Sequence, residues 1–407
     1  MLDGRDIVVI NSCAVTNSAV KQTRAAIRRA RRSRPGAMLA VTGCAAQIDP
    51  AGFAAMPEVD RVIGNGEKLL PEAWAASEPL IVGDMARLTE IAPHLAVAND
   101  QARAFVEVQN GCDHRCTFCA IPFGRGPSRS APAGAVIEAI ERVVAAGKQE
   151  VVLTGVDLTS YGHDLPGNPT LGSLVERILT RIPALPRLRL SSIDAPEIDA
   201  RLFDLLTQEM RVMPHLHLSL QAGDDMVLKR MKRRHARADA VRLVDRLKNA
   251  RPEIAIGADL IAGFPTEDAA MAANSLALID DCDIVHAHIF PYSPRAGTPA
   301  ARMPQVELEL RRERAARLRE ASARRKAAWL GGLVGTTQVM LIEAPGDRGH
   351  TTCFAEVCLP PTVRPEPVEG RVIGTRASTS SARTGIGDTL RVKIIAATDD
   401  HLTGIVE

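Results

Sequence analysis

The apolar run DIVVIN at 6–11 reads as a buried strand leading into a polar pair, Ser12 and Cys13. From Val20 to about Arg34 the spacing predicts a helix with a strongly basic exposed side, ended by Pro35 and Gly36. A second strand follows at 37–42, with Gly43 and Cys44 at its C-terminal end, and a third at 59–64. Strand–helix–strand alternation of this kind predicts a small parallel α/β domain. Ligand groups belong at the C-terminal ends of such strands, where Cys13 and Cys44 both fall. Residues 68–103 show weaker periodicity and read as a connector.

A longer series begins with a strand at 105–109. Helices at 132–146, 171–180, 197–208, 238–249 and 268–280 then alternate with strands at 150–153, 187–191, 215–220, 254–261 and 284–290. Five or six βα units at this spacing predict a full or partial (β/α) barrel. Polar punctuation gathers after the strands, at 154–155, 192–194, 221–223, 263–267 and 291–293, the catalytic face of a barrel. A long basic helix is expected at 307–328. Beyond Gly331 the pattern changes to short strands near 337–343, 352–357, 389–394 and 402–406, as in a small β-barrel. A stretch at 359–385, rich in Pro, Ser, Thr, Gly and Arg, offers almost no apolar face and reads as a disordered insertion. The expected division is therefore 1–100, 101–330 and 331–407.

Composition changes this picture little. The 407 residues suit two or three domains, and a net charge of +2 neither demands nor excludes an acidic partner. At 3% aromatics, aliphatic side chains must build the core. No run reaches eighteen apolar residues and no basic-then-apolar leader is present, so a soluble cytoplasmic protein without a membrane partner is expected. Eight cysteines are too sparse for a disulfide scaffold. Cys282, Cys353 and Cys358 read as packing residues.

Three cysteines crowd into NGCDHRCTFCAI at 110–121. The C-x3-C-x2-C spacing of Cys112, Cys116 and Cys119 puts three soft thiolates on one loop, able to surround a metal. Zinc would need a fourth ligand, with His114 the nearest candidate. A Cys116/Cys119 dithiol would leave Cys112 unexplained. Three cysteines without a fourth suit an iron–sulfur cluster with one open iron.

This motif at the first strand of a (β/α) barrel resembles the signature of the radical S-adenosylmethionine (SAM) enzymes, including the aromatic Phe118 beside the third cysteine. More of the chain resembles the methylthiotransferases: NSCAVT at 11–16, VTGCAAQ at 41–47, LHLSLQAGDD at 216–225, LKRMKRRH at 228–235, DLIAGFPTE at 259–267 and FPYSPRAGTPA at 290–300. Within that family the wording is most similar to the branch acting on N6-threonylcarbamoyladenosine in tRNA, less to the isopentenyladenosine branch, and less still to the ribosomal-protein branch.

The resemblance implies that Cys112, Cys116 and Cys119 hold a [4Fe–4S] cluster whose open iron chelates SAM, giving a 5′-deoxyadenosyl radical. It places Thr154 and Gly155 beside the methionine moiety, with Phe118, Gln221 and Asp259 as further cofactor contacts. It implies methylthiolation at adenine C2 of position 37, a second [4Fe–4S] cluster on Cys13 and Cys44, and a TRAM-like RNA-binding C-terminal barrel. Family members carry a third auxiliary cysteine some thirty-five to forty residues ahead of Cys13, and none stands here, so a truncated N-terminal domain is expected. Arg125, Arg129, Lys232, Arg233 and Tyr292 are candidate contacts to substrate or RNA. Basic runs at 21–34, 229–234 and 311–326 suit phosphate contacts around the mouth of the site. The implied partners are tRNA, an electron donor such as flavodoxin or ferredoxin, and a sulfur source, acting on a monomer. The competing expectations are a methylthiotransferase for isopentenyladenosine tRNA or a ribosomal protein, and an iron–sulfur or zinc RNA-binding protein with impaired catalysis.

Overall fold

The computed structural model describes residues 6–91, 101–343, 347–360 and 385–407. The N-terminal part is a four-stranded parallel sheet of β1 (Ile7–Ser12), β2 (Met38–Gly43), β3 (Arg61–Ile63) and β4 (Leu80–Ile81), in that order. Helix α1 (Asn17–Ser33) starts where the Thr16 side chain accepts from Ala19 N, and it buries Thr23 and Ile27 against the sheet. The register pairs Ser12 with Gly43, so Cys13 and Cys44 leave adjacent strands at the same level. The supposed connector contributes β4 and a helix at Pro71–Ala75. A two-residue strand carries no periodicity, which is why the pattern missed it.

Six parallel strands then form a partial barrel: β5 (Arg103–Asn110), β7 (Glu150–Gly155), β8 (Arg187–Leu190), β9 (His215–Gln221), β10 (Ala255–Ala262) and β11 (Ile284–Pro291). They run as two sheets, β5-β7-β8 and β9-β10-β11, joined by parallel bridges Leu188–Val212 and Ile193–Leu218. A two-residue strand, β6 (Arg129–Ser130), lies antiparallel against β5. Strands β5 and β11 are not paired with each other, which leaves a lateral opening. The core lies between strands and helices, with Leu216, Leu218 and Leu220 of β9 facing outward into it. Residues 215, 217, 219 and 221 therefore face the lumen.

The chain ends in a closed five-stranded barrel of β12 (Thr337–Glu343), β13 (Arg348–Thr351), β14 (Glu356–Cys358), β15 (Thr389–Ala397) and β16 (Leu402–Val406). The single strand expected at 352–357 is instead a reversal between β13 and β14, with Phe354 at φ +71. This small barrel shares a core with Ala255 and Val285, at the starts of β10 and β11. It closes the N-terminal end of the larger barrel, away from the cysteine loop. The Phe354 ring enters there, beneath Arg103 and Arg189 at 5.1 and 4.8 Å. Most of the proposed insertion, residues 361–384, lies outside the described residues, but Leu359 packs against the small barrel's core. No helix among the described residues is long and apolar enough to cross a membrane.

Candidate active site

The cysteine loop leaves the C-terminal end of β5 through Gly111, whose φ is +78; a Cβ there would lie 1.8 Å from Pro127 O. Only glycine fits so close an approach. Backbone bonds fasten the loop at both ends: Cys112 N to Gly126 O at 3.1 Å, and Thr117 N to Met231 O at 3.1 Å. Ala300 N also donates to Thr117 O at 3.0 Å. The three cysteines line one cavity of about 130 Å³, shared with His114, Phe118, Ile121, Val156, Asp157, Ser192, Asp194, Ser219, Gln221 and Arg233.

Burial pushes the Cys112 thiol far above its ordinary range, with the Asp157 charge adding to it, and burial pushes Cys119 up to about 11. Raised in this way, Cys112 and Cys119 favour the protonated thiol when bare, and a bound cation would stabilise their thiolates. The zinc alternative would take His114 as its fourth ligand, and the structure sets this histidine beside Cys112 and Asp157. Its Nε2 lies 2.9 Å from Asp157, 3.5 Å from Glu197 and 4.0 Å from Asp194, and the Asp157 contact holds it above its ordinary pKa. That contact engages the nitrogen a fourth ligand would need. Three thiols opening on a cavity fit an iron–sulfur cluster with one free iron.

Several expected residues sit elsewhere. Phe118 and Gln221 line the cavity; Thr154 and Gly155 lie just below it on β7, and Asp259 is bound to histidines deeper in the lumen. Arg233, expected to contact RNA or substrate, lines the cavity rather than the outer surface. Lys232 takes a left-handed conformation, φ 59, and stays exposed, while Arg233 turns inward. Its Nη2 donates to Asp194 at 2.5 Å and to Ser219 O at 2.6 Å, and its Nη1 lies 3.7 Å from Cys116 Sγ. Tyr292 is buried against Phe264 at 5.4 Å. Arg129 is also buried, donating to Pro127 O at 2.7 Å.

Part of the basic runs is spent inside the fold, while Lys21, Arg28, Arg29, Arg32 and Arg34 stay exposed along one helix. Arg311 and Arg314 are buried, Arg314 on Glu267 at 2.9 Å, and Arg325 pairs with Asp283. Arg24 pairs with Asp49, and Arg31 with Asp60. Asp157, Asp194 and Glu197 were missed as site residues; the polar punctuation after the strands marked only one of them, Asp194.

Arg125 proves to be a link between domains. It ends the short helix that follows Cys119, at Ile121–Arg125, and its Nε donates to Cys44 Sγ at 3.1 Å. Asn65 Nδ2 reaches the same sulfur at 3.6 Å and Gly124 O at 2.6 Å. Gly43 precedes Cys44 at φ +94, and a Cβ there would lie 2.3 Å from Ser12 O. Cys13 is exposed near the Arg295 charge. Arg125 thus lies against Cys44, and Arg295 lies within electrostatic reach of Cys13.

Residues 106–279 match the radical SAM superfamily, and residues 2–64 match the uncharacterized protein family UPF0004. Threonylcarbamoyladenosine tRNA methylthiotransferase MtaB of Rickettsia prowazekii (strain Madrid E) is 48% identical over 361 residues, covering 88% of this chain and 86% of that one. The protein of that name from Bacillus subtilis (strain 168) is 37% identical over 321 residues, covering 77% and 71%. The tRNA-2-methylthio-N(6)-dimethylallyladenosine synthase of Erythrobacter litoralis (strain HTCC2594) is 34% identical, covering 84% and 79%. Among solved structures, the radical SAM methyltransferase TsrM of Kitasatospora setae superposes with a TM-score of 0.52 at 16% identity. That match covers 72% of this chain and 63% of TsrM, a likeness of fold alone. With a three-cysteine loop at the head of a six-stranded partial barrel, and 48% identity along 88% of its length, the chain belongs to the MtaB family of radical SAM tRNA methylthiotransferases.

Proposed function

We propose that the protein converts N6-threonylcarbamoyladenosine at tRNA position 37 to its 2-methylthio form. The observation that carries this reading is the placement of two cysteine sets on either side of one segment, 112–125. Cys112, Cys116 and Cys119 open on the barrel cavity, while Cys44 packs against Gly124 and Arg125 of the same segment. When bound, the barrel cluster supplies the electron that splits SAM into a radical able to take the hydrogen from an unactivated adenine carbon.

The chain's own residues hold and shield this chemistry. Asp157, 3.5 Å from Cys112 Sγ, accepts from Ser160 Oγ at 2.8 Å, which fixes one wall of the cavity. Arg233, tied to Asp194, places positive charge at Cys116. Phe118 packs edge-on against Phe264 at 6.4 Å and keeps the floor apolar. Cys13 and Cys44 are the proposed ligands of the auxiliary cluster, with Arg125 and Arg295 balancing its charge. Lys229 and Lys232 offer exposed positive charge to the tRNA backbone. A small acidic flavoprotein or ferredoxin would supply electrons.

The test is anaerobic reconstitution with iron and sulfide, incubation with SAM, a reductant and threonylcarbamoyladenosine-bearing tRNA, and nucleoside mass spectrometry. A 2-methylthio product that disappears in Cys112→Ala supports the proposal. Product in that variant, or methylthiolation of isopentenyladenosine alone, overturns it.

A further inference from the structure

The barrel lumen holds a second group of metal-ligating side chains, one layer below the cysteine cavity. His217 of β9, Asp259 of β10 and His288 of β11 stand on three consecutive parallel strands, and all face the lumen. The register brings them together: Gly257 pairs with His217, and Asp259 pairs with His288. His217 Nε2 lies 3.1 Å from Asp259 Oδ1, and His288 Nδ1 lies 3.2 Å from the same oxygen. Two donors bound side by side at about 2.1 Å from one transition ion are separated by about 3 Å, the spacing seen here.

Three further observations distinguish the group from an ordinary hydrogen-bonded cluster. Position 257 must be glycine, since a Cβ there would lie 2.6 Å from His217 Nδ1; the sheet is hollowed to seat this imidazole. Among the described residues, Asp259 ion-pairs with these two histidines and with no lysine or arginine, so neutral imidazoles leave its charge unbalanced. The group is also reachable. His217 is buried and Asp259 only partly so, while the His288 side chain is 65% exposed on the strand bordering the lateral opening.

We infer that His217, Asp259 and His288 form a mononuclear site for a first-row divalent transition ion, separate from the iron–sulfur chemistry. Two imidazoles and one carboxylate on rigid strands are a borderline donor set of the kind that zinc, cobalt and ferrous iron accept. Three protein ligands leave coordination positions open toward the lateral mouth, where an oxygen ligand can bind. The site goes beyond the methylthiotransferase reading and rests on none of it.

The test uses the full-length protein, reconstituted anaerobically, then dialysed to equilibrium against cobalt(II). Cobalt and iron are counted per chain by mass spectrometry, and the cobalt surroundings are read by X-ray absorption. One cobalt per chain with nitrogen and oxygen neighbours only is expected. His288→Ala and Asp259→Asn should each weaken it at least about 10-fold without changing the iron count. His288 is exposed, so its variant reports on the site even where Asp259→Asn disturbs folding. No bound cobalt, cobalt with sulfur neighbours, or cobalt retained at full affinity in His288→Ala would overturn the inference.

Discussion

Arg233 gives the sharpest test of how the protein tunes its radical centre. The guanidinium stands 3.7 Å from Cys116 Sγ and is buried, with Asp194 as its ionic partner. Two unit charges at that separation interact by about 4.5 kcal/mol at an effective dielectric of 20. At 59 mV for each tenfold change in a one-electron equilibrium, this sets a ceiling of about 200 mV. An added electron spreads over a whole cluster rather than residing on one sulfur, which reduces the effect to about 100 mV. Arg233→Gln removes positive charge where reduction adds negative charge, so the potential falls. Arg233→Lys keeps the charge and should shift it less. Asp194→Asn removes a neighbouring negative charge and should shift it upward. Redox titration of the reconstituted protein, followed by electron paramagnetic resonance, reads all three. An unchanged potential in Arg233→Gln, or an increase, would refute the assignment.

Three other perturbations test the supporting structure. Gly43→Ala forces a Cβ to within 2.3 Å of Ser12 O at a backbone angle that costs other residues about 1–3 kcal/mol; iron bound through Cys44 should drop while barrel iron persists. Glu150 is fully buried among Arg103, Arg189 and Arg187, at 2.6, 3.0 and 3.6 Å. Glu150→Gln strands their charges and should cost about 3–5 kcal/mol in denaturant unfolding, whereas a change below about 1 kcal/mol would contradict the pairing. Burial raises the Glu150 pKa, but the arginines outweigh burial and hold it below the ordinary 4.5. Its stabilisation is therefore complete above that value and lost as pH falls through the folded pKa, so the Gln variant should show a flatter acid limb. Phe354→Ala empties the seat between the two barrels, and protease should then release the C-terminal barrel sooner than from the parent protein.

The strands, the helices between them and the cysteine loop were legible because each is written in local spacing. Period-two alternation marked β9, and three cysteines within eight positions marked the candidate metal site. What remained hidden depends on register and on single backbone angles. The run LKRMKRRH reads as uniformly basic, yet one left-handed residue, Lys232, sends its neighbour Arg233 into the cluster cavity. Arg311 and Arg314 look solvated among their glutamates, but the helix lies against the barrel and buries both. Tyr292 read as a contact to substrate or RNA, and its loop folds the ring onto Phe264, in the cluster that also holds Phe118. The histidines at 217 and 288 are seventy-one positions apart, and only the pairing of β9, β10 and β11 places them on one carboxylate.

Deleting the gene and measuring tRNA nucleosides by mass spectrometry tests the central claim most directly. The account predicts that 2-methylthio-N6-threonylcarbamoyladenosine disappears and its unmethylthiolated precursor accumulates, with the isopentenyladenosine series unaffected. Unchanged 2-methylthio-N6-threonylcarbamoyladenosine in the deletion strain, or loss of the isopentenyl derivative instead, would contradict it.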